Sequence, residues 1–203
     1  MIAIVDYDAG NLASVANAFS FLGLENAVSA DPETILSAEK IVFPGVGAAG
    51  SAMAKLRERG LDAVLRRAFE LRKPILGICL GSQIVLDSSE EDGGVPCLGL
   101  VRGTARRFAP EPGLAVPQIG WNQVNYAGAA DPLFAGIPDG TNFYFVHSYY
   151  PAPENASDAI ARTVYGSQTF ACALRSGSLA VTQFHPEKSG EAGLRLLRNF
   201  ASA

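Results

Sequence analysis

Short apolar segments alternate with helix-patterned segments through the first half of the sequence. We predict strands over Ile2–Val5 and over residues 27–29, 40–43 and 74–78. Apolar residues recur at helical spacing between them, which predicts helices over residues 11–22, 51–59, 61–71 and 80–86, and a short one opening at Asp31-Pro32-Glu33. Apolar strands separated by helices are typical of a parallel sheet covered on both faces.

Glycine, proline and shorter strands dominate from residue 93 onward. We predict strands over residues 98–102, 121–125, 142–146, 159–164, 169–174 and 179–184, and a final helix over 194–200. The sequence has no repeat, linker or low-complexity tract, so a single domain is expected over residues 1–203. The predicted fold is a single α/β domain, whose mixed sheet has a parallel core, antiparallel additions and helices on both faces.

The composition excludes several classes of protein. Hydrophobic residues make up 48% of the chain, which excludes a disordered protein, and the net charge of −4 provides no basic field for nucleic acid or an anionic membrane. No apolar run reaches the roughly 18 residues of a membrane span, and the N-terminus lacks the basic start of a signal peptide. Three widely spaced cysteines form neither a disulfide framework nor a zinc pattern, so we expect a cytoplasmic protein. We expect neither a metal nor a cofactor.

The segment Gly77-Ile78-Cys79-Leu80-Gly81 has the form of a nucleophile elbow with cysteine in place of serine. The turn between strand and helix is tight, so the positions two before and two after the nucleophile must be small. A helix N-terminus stabilises a thiolate, and the N–H of Leu80 is a natural oxyanion donor. The alternative is a buried structural cysteine beside glycines that permit close packing.

A base for the thiol is supplied by Gln183-Phe184-His185-Pro186-Glu187. His185 falls at the end of a predicted strand, where active sites of open α/β sheets lie. In an extended chain Glu187 points to the same side as His185, where it can orient the imidazole toward Cys79. The alternative is a structural histidine at a strand end.

Residues Gly45 to Gly50 read as Gly-x-Gly-x-x-Gly, the fingerprint of a dinucleotide-binding oxidoreductase. Pro44, the position after a later strand, and the lack of a following strand that ends in an acid weaken that interpretation. The other reading is a mobile peptide. Gly45 and Gly47 can both adopt positive φ, so the Val46–Gly47 peptide could turn its N–H into or out of a site.

Together these features resemble the class I (triad) glutamine amidotransferases over essentially the whole chain, which implies their flavodoxin-like fold. The shared motifs are Pro44-Gly45-Val46-Gly47, Gly77-Ile78-Cys79-Leu80-Gly81-Ser82-Gln83 and Gln183-Phe184-His185-Pro186-Glu187-Lys188-Ser189. Finer marks resemble the glutaminase subunits of imidazole glycerol phosphate synthases. These marks are Asp6-Tyr7 with Gly10-Asn11-Leu12, Gly120-Trp121-Asn122, and Val146-His147-Ser148-Tyr149.

The resemblance implies a reaction and a set of site residues. Cys79 attacks the glutamine amide, His185 transfers protons and Glu187 supports the imidazolium, with a thioester as intermediate. The N–H groups of Leu80 and Gly47 stabilise the oxyanion. Residues implied to hold glutamine are Gln83, Glu91, Ser148 and Tyr149, while the sequence alone favours a solvated surface charge for Glu91.

The resemblance also implies a partner, a (β/α)₈ cyclase subunit that uses the ammonia in histidine biosynthesis. We predict that Asn11, Trp121 and Lys188 lie at that interface. The relatives often have Pro-His-Met where this chain has Pro117-Gln118-Ile119, which puts any signalling role of that histidine in doubt here. His147 is expected in the wall of the glutamine site. Alternatives are a glutaminase of anthranilate or pyridoxal phosphate type and a non-catalytic subunit.

Overall fold

The first half of the chain forms a regular alternation of strands and helices in the computed structural model, which describes residues 1–202. Its elements confirm the sequence prediction closely. They are β1 (Ile2–Val5), α1 (Leu12–Phe21), β2 (Asn26–Ser29), α2 (Pro32–Ser37), β3 (Lys40–Gly45), α3 (Ala49–Glu58), α4 (Leu61–Glu70), β4 (Ile75–Cys79) and α5 (Leu80–Ile84).

The second half is mostly strands, followed by one long helix. Its elements are β5 (Ser88–Ser89), β6 (Val95–Pro96), β7 (Gly103–Arg107), β8 (Gln118–Tyr126), β9 (Thr141–His147), β10 (Tyr149–Pro153), β11 (Ala159–Tyr165), β12 (Gln168–Ser176), β13 (Leu179–Thr182) and α6 (Gly190–Ser202). Single turns of 3₁₀ helix lie at Glu91–Gly93, Pro132–Phe134, Ala156–Asp158 and Pro186–Lys188.

A nine-stranded mixed sheet in the order β2-β1-β3-β4-β13-β12-β11-β8-β9 forms the centre of the molecule. The pairs from β2 to β13 are parallel, and the pairs from β13 to β9 are antiparallel, as predicted. Gly45 lies beside Cys79 in the register of β3 with β4, and Thr182 lies beside Ile78 in that of β13 with β4. The C-terminal ends of these three strands therefore meet at one edge, where ligands of open α/β sheets bind.

Two hydrophobic clusters cover the two faces of this sheet because alternate strand residues point in opposite directions. Val5 and Phe43 pack with residues of α2 to α5, including Met53. Ile4 packs on the other face with residues of α1 and α6, including Phe19. Helices on both faces confirm the predicted architecture, and no helix within residues 1–202 is long and apolar enough to cross a membrane.

Two local predictions were wrong, and one feature was not predicted. Strand β3 does not stop before Pro44 but continues through Gly45, and it has no partner on its β1 side beyond Val42, so the missing N–H of Pro44 costs no ladder bond there. Residues 98–102 form no strand, because the N–H groups of Leu98 and Leu100 bond to the carbonyls of Ile84 and Val85 at the end of α5. A second sheet, ordered β10-β7-β5-β6, was not predicted.

Candidate active site

Cys79 ends β4 and precedes α5 in a strained backbone conformation, with φ 55° and ψ −106°. Left-handed φ values are uncommon in residues other than glycine, and they cluster at functional sites. A methyl carbon on Gly77 would lie 3.2 Å from the carbonyl carbon of Gly81, and one on Gly81 would overlap the carbonyl oxygen of Phe43. Both glycines are therefore required for the tight turn, as the elbow pattern predicted.

His185 reaches the same edge of the sheet from β13. Its backbone N–H donates to the carbonyl of Tyr144, which fixes the chain just after the strand ends. Its Nδ1 lies 2.8 Å from Oε1 of Glu187, and both side chains are completely buried. The chain between them is not extended as expected. The 3₁₀ turn at Pro186–Lys188 brings the carboxylate back to the imidazole instead.

The electrostatic surroundings of His185 favour the imidazolium. Burial alone would lower its pKa, but interactions with Cys79 and Glu187 outweigh burial and raise the pKa to about 10. Since Nδ1 is engaged by Glu187, Nε2 is left to exchange a proton with the Cys79 sulfur; within residues 1–202, Nε2 is buried and makes no hydrogen bond. This arrangement supports proton transfer between the thiol and the imidazole.

Two further groups contact the sulfur of Cys79, and neither was among the predicted site residues. The carbonyl of Val146 accepts from Sγ at 3.8 Å, and Nε2 of Gln183 lies 3.8 Å from Sγ. Gln183 is fully buried, and its Oε1 accepts from Nε2 of Gln83 at 3.1 Å. Its position two residues before His185 in the same motif was the available signal.

A cavity of about 300 Å³ opens beside Cys79. All six residues predicted for the oxyanion and glutamine sites line it, namely Gly47, Leu80, Gln83, Glu91, Ser148 and Tyr149. Besides Cys79, the remaining lining residues are Val46, Pro117, Val146 and His147. The predicted nucleophile and the predicted substrate contacts therefore share one pocket of a size suited to an amino acid.

Two polar residues of the cavity wall are held by backbone contacts. Glu91 accepts from the backbone N–H of Ala49 through Oε2 at 2.6 Å, at the start of α3. Burial raises the pKa of this carboxyl group. Gln83 donates to the carbonyl of Tyr149 at 2.8 Å. Both side chains therefore have defined positions before any ligand arrives.

His147 lies in the cavity wall, where it was expected. Its Nδ1 is 2.8 Å from the carbonyl of Tyr149, and its ring packs against Phe108, Phe145 and Phe170. Burial lowers its pKa to about 3, so the ring is neutral and cannot serve as an acid. Gln118 is buried opposite His147 in the β8–β9 pairing.

Two residues of the Gly45–Gly50 segment, Val46 and Gly47, line this cavity. Gly45 packs under the hydroxyl of Tyr7, whose pKa is raised by burial and by the nearby Cys79. Gly47 has φ 94°, whereas Gly45 does not have a positive φ. Because Val46 and Gly47 line the pocket that holds Cys79, the glycines of this loop do not require a dinucleotide-binding role.

The three predicted interface residues differ in exposure. Trp121 is 58% exposed and Lys188 is also exposed, with its Nζ 5.9 Å from the ring centre of Tyr144. Asn11 is only 5% exposed, and its Nδ2 donates to Oε1 of Glu187 at 3.1 Å. Within residues 1–202, no group of three or more His, Cys, Asp or Glu side chains is placed to hold a metal ion.

Comparison with known proteins gives a consistent result. A family model described as glutamine amidotransferase class-I matches residues 3–203. The chain is 48% identical over 200 residues to "Imidazole glycerol phosphate synthase subunit HisH" of Dehalococcoides mccartyi (strain CBDB1), covering 98% of this chain and 96% of that protein. The protein of the same name from Methylococcus capsulatus is 49% identical over 208 residues, covering 98% and 94%.

Solved structures of lower identity agree in fold. The "Structure of PurLQS from Thermotoga maritima" superposes with a TM-score of 0.77 at 18% identity, over 99% of this chain and 97% of that chain. A structure titled "Crystal structure of glutamine amidotransferase" gives a TM-score of 0.73 at 20% identity, over 100% and 98%. At these identities the likeness concerns the fold alone.

Proposed function

Since the chain belongs to the class I glutamine amidotransferase family, we propose that it is the glutaminase subunit of an imidazole glycerol phosphate synthase. It hydrolyses L-glutamine to glutamate and ammonia, and it supplies the ammonia to a (β/α)₈ cyclase subunit in the cytoplasm. The observation that carries the proposal is the meeting of Cys79 with the buried His185–Glu187 pair beside the cavity. The names of the relatives favour this synthase over the anthranilate or pyridoxal phosphate type.

The reaction follows from the placement of these groups. His185 takes the Cys79 thiol proton on Nε2, and the sulfur attacks the side-chain amide carbon of glutamine. The C–N bond breaks as that proton passes to the leaving nitrogen, which departs as ammonia. The neutral imidazole then takes a proton from water, which attacks the γ-glutamyl thioester and releases glutamate. Glu187 keeps Nδ1 engaged throughout, so Nε2 always faces the reacting atoms.

The oxyanion formed at the amide carbon needs hydrogen-bond donors. We assign this role to the N–H of Leu80, which follows the nucleophile, and to that of Gly47 after rotation of the Val46–Gly47 peptide. Both residues line the cavity, and the φ of 94° at Gly47 lies in a region that glycine enters at little cost. Loss of one such donor typically lowers the rate by about 10²–10³.

The far side of the cavity suits the α-amino and α-carboxyl groups of glutamine. The carboxylate of Glu91 supplies the negative charge that an ammonium requires, and the bond from Ala49 keeps it in place. Gln83 and the Ser148–Tyr149 backbone form the opposite wall. These contacts hold the substrate and leave the amide at Cys79.

The cyclase is proposed to dock on the outer face of β8 and β9. Ile119 is 64% exposed on this face and Trp121 is almost as exposed, although both are large and apolar. Ile119 pairs with Val146, whose carbonyl contacts the Cys79 sulfur, so this surface borders the cavity. Lys188 lies at its rim, and Asn11 connects it to Glu187.

The proposal is tested by measuring glutamate release with the cyclase subunit and its nucleotide substrate. We expect low turnover of the chain alone and a large rise in the complex, because the Val46–Gly47 peptide must rotate. Cys79→Ala should abolish turnover, while the matched Cys97→Ala change, at another buried cysteine, should not. Equal turnover with and without the partner would refute the gating, and a complex without Cys79-dependent activity would refute the function.

A further inference from the structure

We propose that Asn11 is a positioning residue that holds the Glu187 carboxylate in place for His185. The inference rests on the proposed Cys79–His185–Glu187 chemistry and adds a fourth residue to it. Oε1 of Glu187 accepts from Nδ1 of His185 at 2.8 Å and from Nδ2 of Asn11 at 3.1 Å. One carboxylate oxygen is therefore held between an imidazole and an amide that come from opposite ends of the chain.

The position of Asn11 would normally suit a different task. Asn11 is the N-cap residue of α1, and asparagine is favoured there because its side-chain oxygen accepts from a free N–H of the first turn. Asp31 makes that bond to Thr34 at 2.8 Å, and Asn155 makes it to Ser157 at 3.2 Å. Asn11 makes no such bond. Helix α1 therefore lacks the stabilisation of a side-chain cap, and the Asn11 amide donates to Glu187 instead.

The Glu187 carboxylate has few hydrogen bonds to restrain it besides the one from the Asn11 amide. Within residues 1–202, Oε2 of Glu187 and Oδ1 of Asn11 are buried without a hydrogen-bond partner. Among residues 1–202, the Asn11 amide and the His185 imidazole are therefore the two side-chain groups that hold the Glu187 carboxylate. Without it, the carboxylate can rotate and exchange its two oxygens, and the imidazole loses its fixed orientation.

Asn11 does not line the cavity beside Cys79, so we expect it not to contact bound glutamine. Its removal should therefore lower kcat and leave KM unchanged. This separates Asn11 from the substrate contacts Gln83 and Glu91, whose removal should raise KM. It also separates positioning from a general loss of fold, which would lower the amount of active enzyme and its thermal stability together.

The test compares Asn11→Ser, Asn11→Asp and the control Asn17→Ser in the complex with the cyclase. Asn17 is an exposed residue of the same helix, so it undergoes the same chemical change without contacting Glu187. Serine at position 11 is too short to reach Glu187 but can cap α1. We expect Asn11→Ser to lose at least about tenfold in kcat, the scale of one charge-assisted hydrogen bond, with unchanged KM and an equal or higher Tm.

Asn11→Asp provides an independent readout. Its new carboxyl group faces the Glu187 carboxylate, so the pair shares a proton more readily at low pH, and the protonated group can then donate as the amide does. Its activity relative to wild type should rise as the pH falls from 8 to 6. Wild-type kcat in Asn11→Ser, or a kcat loss accompanied by a lower Tm, would overturn the assignment. A wild-type complex without Cys79-dependent activity would instead overturn the proposed function.

Discussion

Gly81→Ala should disrupt both the stability and the activity of the protein, because the elbow has no room for a methyl group. An ideal methyl carbon on Gly81 lies 2.3 Å from the carbonyl oxygen of Phe43. The two backbones must separate by about 1 Å to restore an ordinary contact. Phe43 cannot yield, because β3 is paired with β4 on one side and packed in the core. The start of α5 must move instead, and this movement displaces Leu80 and the adjoining backbone of Cys79.

The expected size of this effect follows from the displacement. Overpacking of this kind costs about 1–3 kcal/mol, and a 1 Å misplacement of a reacting group costs about 10² in rate. Urea unfolding and kcat in the cyclase complex measure the two effects. Gly50→Ala is the matched control. It also lies in the first turn of a helix. Its methyl carbon would lie 2.8 Å from Oδ2 of Asp92, the end of an exposed side chain that can turn aside.

The control should equal or slightly exceed the wild type in stability, because alanine is favoured over glycine by about 1 kcal/mol within a helix. Retained activity in Gly50→Ala would also argue against a dinucleotide fingerprint, which needs its third glycine. Wild-type stability and kcat in Gly81→Ala would refute the reasoning about the tight turn.

Three further results are expected. The kcat of the complex should fall at alkaline pH only near pH 10, because the raised pKa of His185 keeps it protonated for the leaving ammonia; a pH–rate profile that falls between pH 6 and 7 would contradict this. Asp131→Ala should lower the free energy of unfolding by about 2–3 kcal/mol in urea, because Asp131 is nearly buried and accepts two hydrogen bonds from Arg175, at 2.5 and 2.6 Å. A loss under about 0.5 kcal/mol would mean that this ion pair contributes little to stability. Trp121→Ala should weaken cyclase binding at least about tenfold in calorimetry without slowing the labelling of Cys79 by a glutamine-like electrophile, and unchanged affinity would remove Trp121 from the interface.

Much of the fold can be predicted from the sequence because helices cover both faces of the parallel core. Its inner strands β1, β3 and β4 are buried and largely apolar, and its helices show one apolar stripe, so both patterns are strong in the first half. The boundaries depend on neighbours that sequence does not display. The strand predicted over residues 40–43 continues through Pro44, because β3 has no β1 partner at that position and the missing N–H of proline costs no bond there.

The errors in the second half have a similar origin. The apolar residues at 98–102 suggested a strand, yet their N–H groups complete the carbonyl end of α5. Strand β10 contains Pro151 and Pro153, which are poor strand formers, and it exists because its residues pair with β7. In both cases tertiary hydrogen bonds outweighed local preference.

The candidate site was predictable in its chemistry and less so in its supporting contacts. Cys79, His185 and Glu187 stand in motifs with a direct physical meaning, and they meet as predicted. The contact between Asn11 and Glu187 spans 176 positions and depends on the packing of α1 against the 3₁₀ turn at Pro186–Lys188. Nothing local to either residue indicates it, since asparagine before a helix usually signals a cap.

Mass mapping after exposure to a glutamine analogue with an electrophilic amide carbon examines the proposed nucleophile itself. The adduct should form on Cys79, be prevented by excess L-glutamine, and form far more slowly in His185→Ala. Cys97 and Cys172 should stay unmodified, because burial raises the pKa of both thiols. An adduct on Cys97 or Cys172, or labelling of Cys79 that is indifferent to His185, would contradict the amide-cleaving role of this site.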